Sequence, residues 1–221
     1  LPHATGRLVP DAAWRVLRTP ELELAERATD PTTEPARSQL RAAIAGLRER
    51  DRLGEHLLLH APGPAPGQLR LVNCYSAAVR ATVEDLVSER AVAEMQQALL
   101  QELNAAGAGF AVRGHERTAL FATGGLLVRF AQVEAPHLRL DVHAVPAGAR
   151  LQYFEATYAN ADADAPAAID ALLTTFDGAE ETADTTLRNM LVGGLAGGIA
   201  GIATAVLRRR RQQRLAAARE A

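Results

Sequence analysis

The sequence predicts an α+β domain, an antiparallel sheet with packed helices, followed by one C-terminal membrane-spanning helix. Three observations predict it. From Phe110 to Tyr158 four strand-like runs follow one another with short connections, a meander rather than alternating strand and helix units. Apolar stripes of helical period stand before and after that meander. Finally, Met190 to Leu207 is 18 residues without a charge, about 27 Å at the helical rise and close to the hydrocarbon thickness of a bilayer.

Taken in order, Trp14–Arg18 alternates as a strand, and Leu22–Ala25 is a second short candidate. Residues 32–51 read as a helix, with Thr32 or Thr33 as cap, Pro35 in the first turn and Leu40, Ile44 and Leu47 on one face. Leu57–Leu59 is a short strand, residues 61–67 (APGPAPG) are a loop, and Leu69–Cys74 is a strand. One long helix is expected from Thr82 to near Gly107. Thr82 and Asp85 form its capping pair, and Val83, Leu86, Val87, Val92, Met95, Leu99 and Leu103 form its apolar stripe.

The meander strands are Phe110–His115, Leu126–Val133, Leu138–Val145 and Leu151–Tyr158. In the third, Leu138, Leu140, Val142 and Ala144 point one way and Arg139, Asp141 and His143 the other. Residues 136–137 and 146–149 are short enough for hairpin turns. A last helix ends at Phe176, with Ile169, Leu172 and Leu173 on its apolar side. The chain has no internal repeats.

The C-terminal span carries the strongest signal. Arg188 precedes it and Arg208, Arg209, Arg210 and Arg211 follow at once, while Glu180, Glu181 and Asp184 lie upstream. Arg-rich flanks stay on the cytoplasmic side. Three regions are therefore expected: 1–186 as an extracytoplasmic domain, 187–207 as the transmembrane helix and 208–221 as an Arg-rich cytoplasmic tail. The expected placement is the inner membrane, and the start at Leu1 rather than Met fits either a removed export signal or a trimmed chain. Gly193, Gly197 and Gly201 lie four apart, with Gly194 and Gly198 in a second row. Such rows let another helix, of this chain or a different subunit, approach closely. The four consecutive Arg residues suit anionic lipid; the tail lacks the interleaved aromatics of a single-strand nucleic-acid binder, so no nucleic acid is expected.

Composition narrows the function. In 221 residues, 48% are hydrophobic and 23% charged, which excludes a disordered chain and a polytopic membrane protein. A single cysteine excludes a disulfide framework within the chain and a cysteine-rich zinc site. Residues 1–186 carry 17 Arg against 25 acidic residues, a net −8; residues 187–221 carry 7 Arg against one Glu, a net +6. All basic side chains besides His are Arg; with so much Ala this suggests the coding bias of a GC-rich bacterial genome.

Candidate chemical residues are few. His56 and His60, four apart on a strand, lie about 13 Å apart and read as surface imidazoles at the strand's ends, not as zinc ligands. Asp162 and Asp164 beside Asn160 lack the Gly and distal Glu of a calcium loop and read as a solvated turn capping the next helix. Cys74 reads as a small buried hydrophobe. Ser76 lacks a nucleophile elbow, His115 and Glu116 lack zinc-protease spacing, and Gly124-Gly125 precedes a strand rather than a phosphate-binding helix. No cofactor, metal or catalytic residue is expected.

The close of the domain, LQYFEATYANADADAPAAIDALLTTFDG, joins an aromatic strand, a polar turn and a short helix ending in Phe. With the early Trp14 strand and the long helix before the meander, this order resembles PsbP-like domains, including the DcrB and LpqN groups, over about residues 7–178. The resemblance implies an extracytoplasmic, non-enzymatic accessory or binding protein. The leading expectation is thus a single-pass accessory subunit that assembles, stabilises or docks within a larger membrane complex, respiratory or photosynthetic. The alternative is a tethered periplasmic ligand-binding or envelope-maintenance domain. An enzyme ranks third, since no nucleophile–base set is visible.

Overall fold

In the computed structural model, which describes residues 6–17, 57–65, 68–105, 109–133 and 138–180, seven strands form one antiparallel sheet. They are β1 (Arg15–Leu17), β2 (Leu57–Pro62), β3 (Leu69–Ala77), β4 (Phe110–Thr118), β5 (Gly125–Gln132), β6 (Leu138–Ala147) and β7 (Arg150–Ala159). Their spatial order is β1-β2-β3-β7-β6-β5-β4. Among the described residues three helices accompany them: α1 (Val83–Leu86), α2 (Glu89–Ala105) and α3 (Ala165–Leu173). The α+β class is as the sequence predicts.

Two cores sandwich the sheet. On one face Leu126, Val128, Phe130, Leu140, Val142, Ala144, Leu151 and Tyr153 meet Leu86, Val92 and Met95 of α1 and α2. On the other, Leu59, Val72, Cys74, Phe154 and Ala156 meet Trp14 and Ile169, Leu172, Leu173 and Phe176 of the α3 region. Phe121, Phe154 and Phe176 cluster there, with ring centroids 5.7, 5.2 and 6.2 Å apart. Such aromatic pairs add about 0.5–1.5 kcal/mol each beyond their buried area. The N-terminal segment closes this face: Asp177 donates its backbone N–H to the Arg7 carbonyl at 3.1 Å, and Val9 donates to Thr175 Oγ1 at 3.0 Å.

Several expectations need correction. The helix after Thr82 is two helices. Its capping box is present, with Thr82 Oγ1 accepting from the Asp85 N–H and the Asp85 carboxylate accepting from the Thr82 N–H. Helix α1 nevertheless stops at Leu86, because Ser88 competes for the backbone: its hydroxyl donates to the Asp85 carbonyl at 2.7 Å and accepts from the Ala91 N–H. Strand β2 extends into the expected loop as far as Pro62, which pairs with Leu69 at the hairpin's end. Likewise Pro146 and Ala147 belong to β6, so that turn is only Gly148-Ala149, with Gly148 at φ 63°. The Leu22–Ala25 strand, the helix over 32–51 and the turn at 136–137 lie outside the described residues. So does everything beyond 180, including Gly193, Gly194, Gly197, Gly198, Gly201 and Arg208 to Arg211. Among the described residues no helix is long and apolar enough to cross a membrane.

Candidate functional site

Strand register places a polar patch on the α3 face of the sheet. Because directly opposed residues of antiparallel strands share a face, Arg129 of β5 stands beside Asp141 of β6, and Leu127 beside His143. Across the next ladder Arg139 stands beside Tyr158 of β7. Glu116 of β4 stands beside Leu127 on the other side. Here the sheet face, the α3 residues Pro166, Ile169 and Asp170, and the Ala119-Leu120 turn border a half-open cavity of ≈ 460 Å³. That volume suits a small organic molecule.

Burial sets the electrostatics. Asp141 is buried, and its carboxylate accepts the Tyr158 hydroxyl at 2.7 Å. Burial pushes the Asp141 carboxyl up, outweighing that hydrogen bond and the nearby Arg129 and Arg139. It also pushes the Tyr158 hydroxyl up, so the phenol keeps its proton and donates. Asp170, half-buried on α3, is raised for the same reason despite Arg129. His143 is 1% exposed. Burial first, and Arg129 second, lower it to about 4, so it is neutral at pH 7. Its ring stands edge-on to Phe121 at 6.3 Å, and its Nδ1 is buried with no hydrogen-bond partner. An unsatisfied buried polar atom costs about 1–3 kcal/mol, a price the sheet does not need.

The other charges are answered. Arg129 donates to Glu116 at 2.7 Å and holds that carboxyl below its ordinary range. Arg117 reaches Glu84 at 3.4 Å, and Arg139 donates to the Asn160 amide oxygen at 2.6 Å. Gly114, opposite Arg129, leaves open space where a Cβ would stand. Among the described residues no group of three or more His, Cys, Asp or Glu is placed to hold a metal ion.

The residues singled out from the sequence do not converge. Cys74 is fully buried in the α3-side core, and burial pushes its thiol up. Asp162 is not solvated: it is buried and takes Arg70 Nε and Nη2 at 2.7 and 2.8 Å. Asp164 occupies the cap position of α3 without a side-chain cap hydrogen bond. His60 is half-buried rather than a surface imidazole, and its Nδ1 lacks a partner; burial, then Arg15, lowers its pKa. His56 lies outside the described residues. Ser76 receives the Arg150 guanidinium at 2.9 Å, and His115 pairs with the Gln96 amide at 3.2 Å.

In the sequence Arg139, Asp141 and His143 share a strand face and Glu116 stands alone, with nothing to join them into one site, yet β5 carries a signal. Its apolar run continues through both alternation phases, as in a strand covered on two faces. Within such a strand Arg129 has to be buried or to line a cavity. No protein-family model, curated protein or solved structure matches the chain.

Proposed function

We propose that this chain is a membrane-tethered, extracytoplasmic binding domain whose small polar ligand occupies the cavity between β5, β6 and α3. The observation that carries the reading is His143: a neutral, 1% exposed imidazole on the cavity wall with an unpartnered Nδ1. Beside it burial raises the Asp141 and Asp170 carboxyls. Polar groups buried beside Leu120, Leu127 and Ile169 in one pocket are the mark of a binding site. The charge-free span at 190–207 and the Arg residues after it support tethering with residues 1–186 outside the cytoplasm. The PsbP-like element order agrees with that side of the membrane.

The full chain in mild detergent, screened by thermal shift against primary amines, quaternary ammonium salts, carboxylates and neutral sugars, tests the binding reading. At least one class should raise the melting midpoint of the wild type and not of Leu127→Trp, which fills the cavity from β5. Equal behaviour of the two proteins toward every class would sink it.

A second reading, assembly of a larger membrane complex, rests on the Gly193, Gly197 and Gly201 row. Under it, Gly197→Leu leaves the protein in the membrane but releases co-purifying subunits or a second copy. Unchanged co-purification would remove that reading.

A further inference from the structure

We propose that the end of the sheet formed by the β6–β7 turn is the surface of the domain that meets the membrane, held against the lipid headgroups by the chain's own tether. This rests on residues 190–207 crossing the bilayer, and it names the part of the domain that faces lipid. Glu180 fixes where the chain leaves the sheet. It forms a parallel bridge with Ala147. Its N–H donates to the Pro146 carbonyl at 3.0 Å, and its carbonyl accepts from the Gly148 N–H at 2.9 Å. The backbone at 180 is thereby tied to the turn between β6 and β7.

Residues 181–189 alone separate that anchor from Met190, where the charge-free run begins. The ten backbone steps from Glu180 to Met190 reach about 35 Å when fully extended. Roughly 5–7 Å of that lies in the headgroup layer, which leaves a little under about 30 Å outside it. Strand β6 has ten residues and is about 30 Å long. Its far end, Leu138, pairs with Ala159, and the β7–α3 turn at Asn160 to Asp164 lies beyond that pair. With that turn on the lipid, the anchor would stand more than a strand's length above the headgroups, and even a fully extended tether would fall short. The end at Gly148-Ala149 is within reach in every pose the tether allows. Among the described residues the exposed large hydrophobics, Val9 and Val133, stand singly. Helix α2 shows solvent the Arg90–Glu94 pair, and edge strand β4 shows it Glu116 and Arg117. Those flanks give no apolar surface on which the domain could lie on its side.

Fluorescence quenching in vesicles tests this. The full chain carrying Ala149→Cys or Ala163→Cys, both exposed positions, is labelled with bimane; Cys74, 0% exposed, stays unlabelled. Each protein is placed in phosphatidylethanolamine–phosphatidylglycerol vesicles that contain headgroup-spin-labelled lipid in both leaflets. The lipid should quench most of the fluorescence at position 149 and little at 163. Equal quenching at the two positions, stronger quenching at 163, or quenching at neither, in a chain that resists alkaline carbonate extraction, overturns the assigned surface and leaves the membrane span standing. Release of the chain from the vesicles by carbonate overturns both.

Discussion

His143 is a residue whose protonation the fold opposes, and that has a measurable consequence. Its ordinary pKa of 6.5 falls to about 4 in the folded chain through burial and Arg129. The unfolded chain therefore takes up a proton first. The stability that goes with a neutral imidazole is complete above pH 6.5 and is lost as pH falls toward 4. The gap corresponds to about 3 kcal/mol. Asp141 acts in the opposite sense, because its raised carboxyl is relieved of its burial cost as it protonates. The comparison that isolates His143 is wild type against His143→Gln: urea unfolding from pH 7 to 4 should show a steep loss of stability in the wild type and a flatter one in the variant. Parallel curves would mean that the imidazole is hydrated and ordinary. None of this was legible in HAV or in LDVHA, since alternation assigns His143 to a side of the strand but not what lies over that side. Cys74 was legible, because its place in a strand and the lack of a base left a buried thiol as the natural reading. Asp162 was misread because Arg70, its partner, is 92 positions away.

At the scale of elements, the close contact of β5 and β6 that forms the cavity floor depends on Gly125. A Cβ there would stand 2.7 Å from the Ala144 carbonyl oxygen and 3.2 Å from Phe121. Backbone cannot retreat as a flexible side chain does, so Gly125→Ala should cost about 1–3 kcal/mol. Gly114, one strand over, faces open space with no positive φ. Gly114→Ala should be neutral or stabilising by up to about 1 kcal/mol through the unfolded chain. Urea midpoints of the two variants check the contrast, and equal losses would contradict the packing described. Strands β3 to β7 were legible because each carries an apolar run within its eight to ten residues, alternating in β6 and continuous in β5. The Thr82–Asp85 cap was legible from spacing alone. The break at Ser88 was not, because the apolar stripe runs on across it: Leu86 and Val92 share one core.

The whole molecule joins two meanders, β1-β2-β3 and β4-β5-β6-β7, through the β3–β7 ladder. That joint puts α1 and α2 over one face and α3 over the other. Helix α3 shares a core with β3 and β7, and its Pro166, Ile169 and Asp170 border the cavity beside β5 and β6. The charged lining comes from β4, β5, β6 and α3, across 55 positions of sequence from Glu116 to Asp170, which is why no local motif announced it. Hydrogen–deuterium exchange of the full chain in detergent, with and without a saturating compound of the class that raises the wild-type melting midpoint, tests the central claim most directly. Slower exchange should appear in peptides covering 116–129, 139–143 and 165–173, with none in α2 or in β3. Protection confined to those latter elements, or no change anywhere, would contradict a ligand site between β5, β6 and α3.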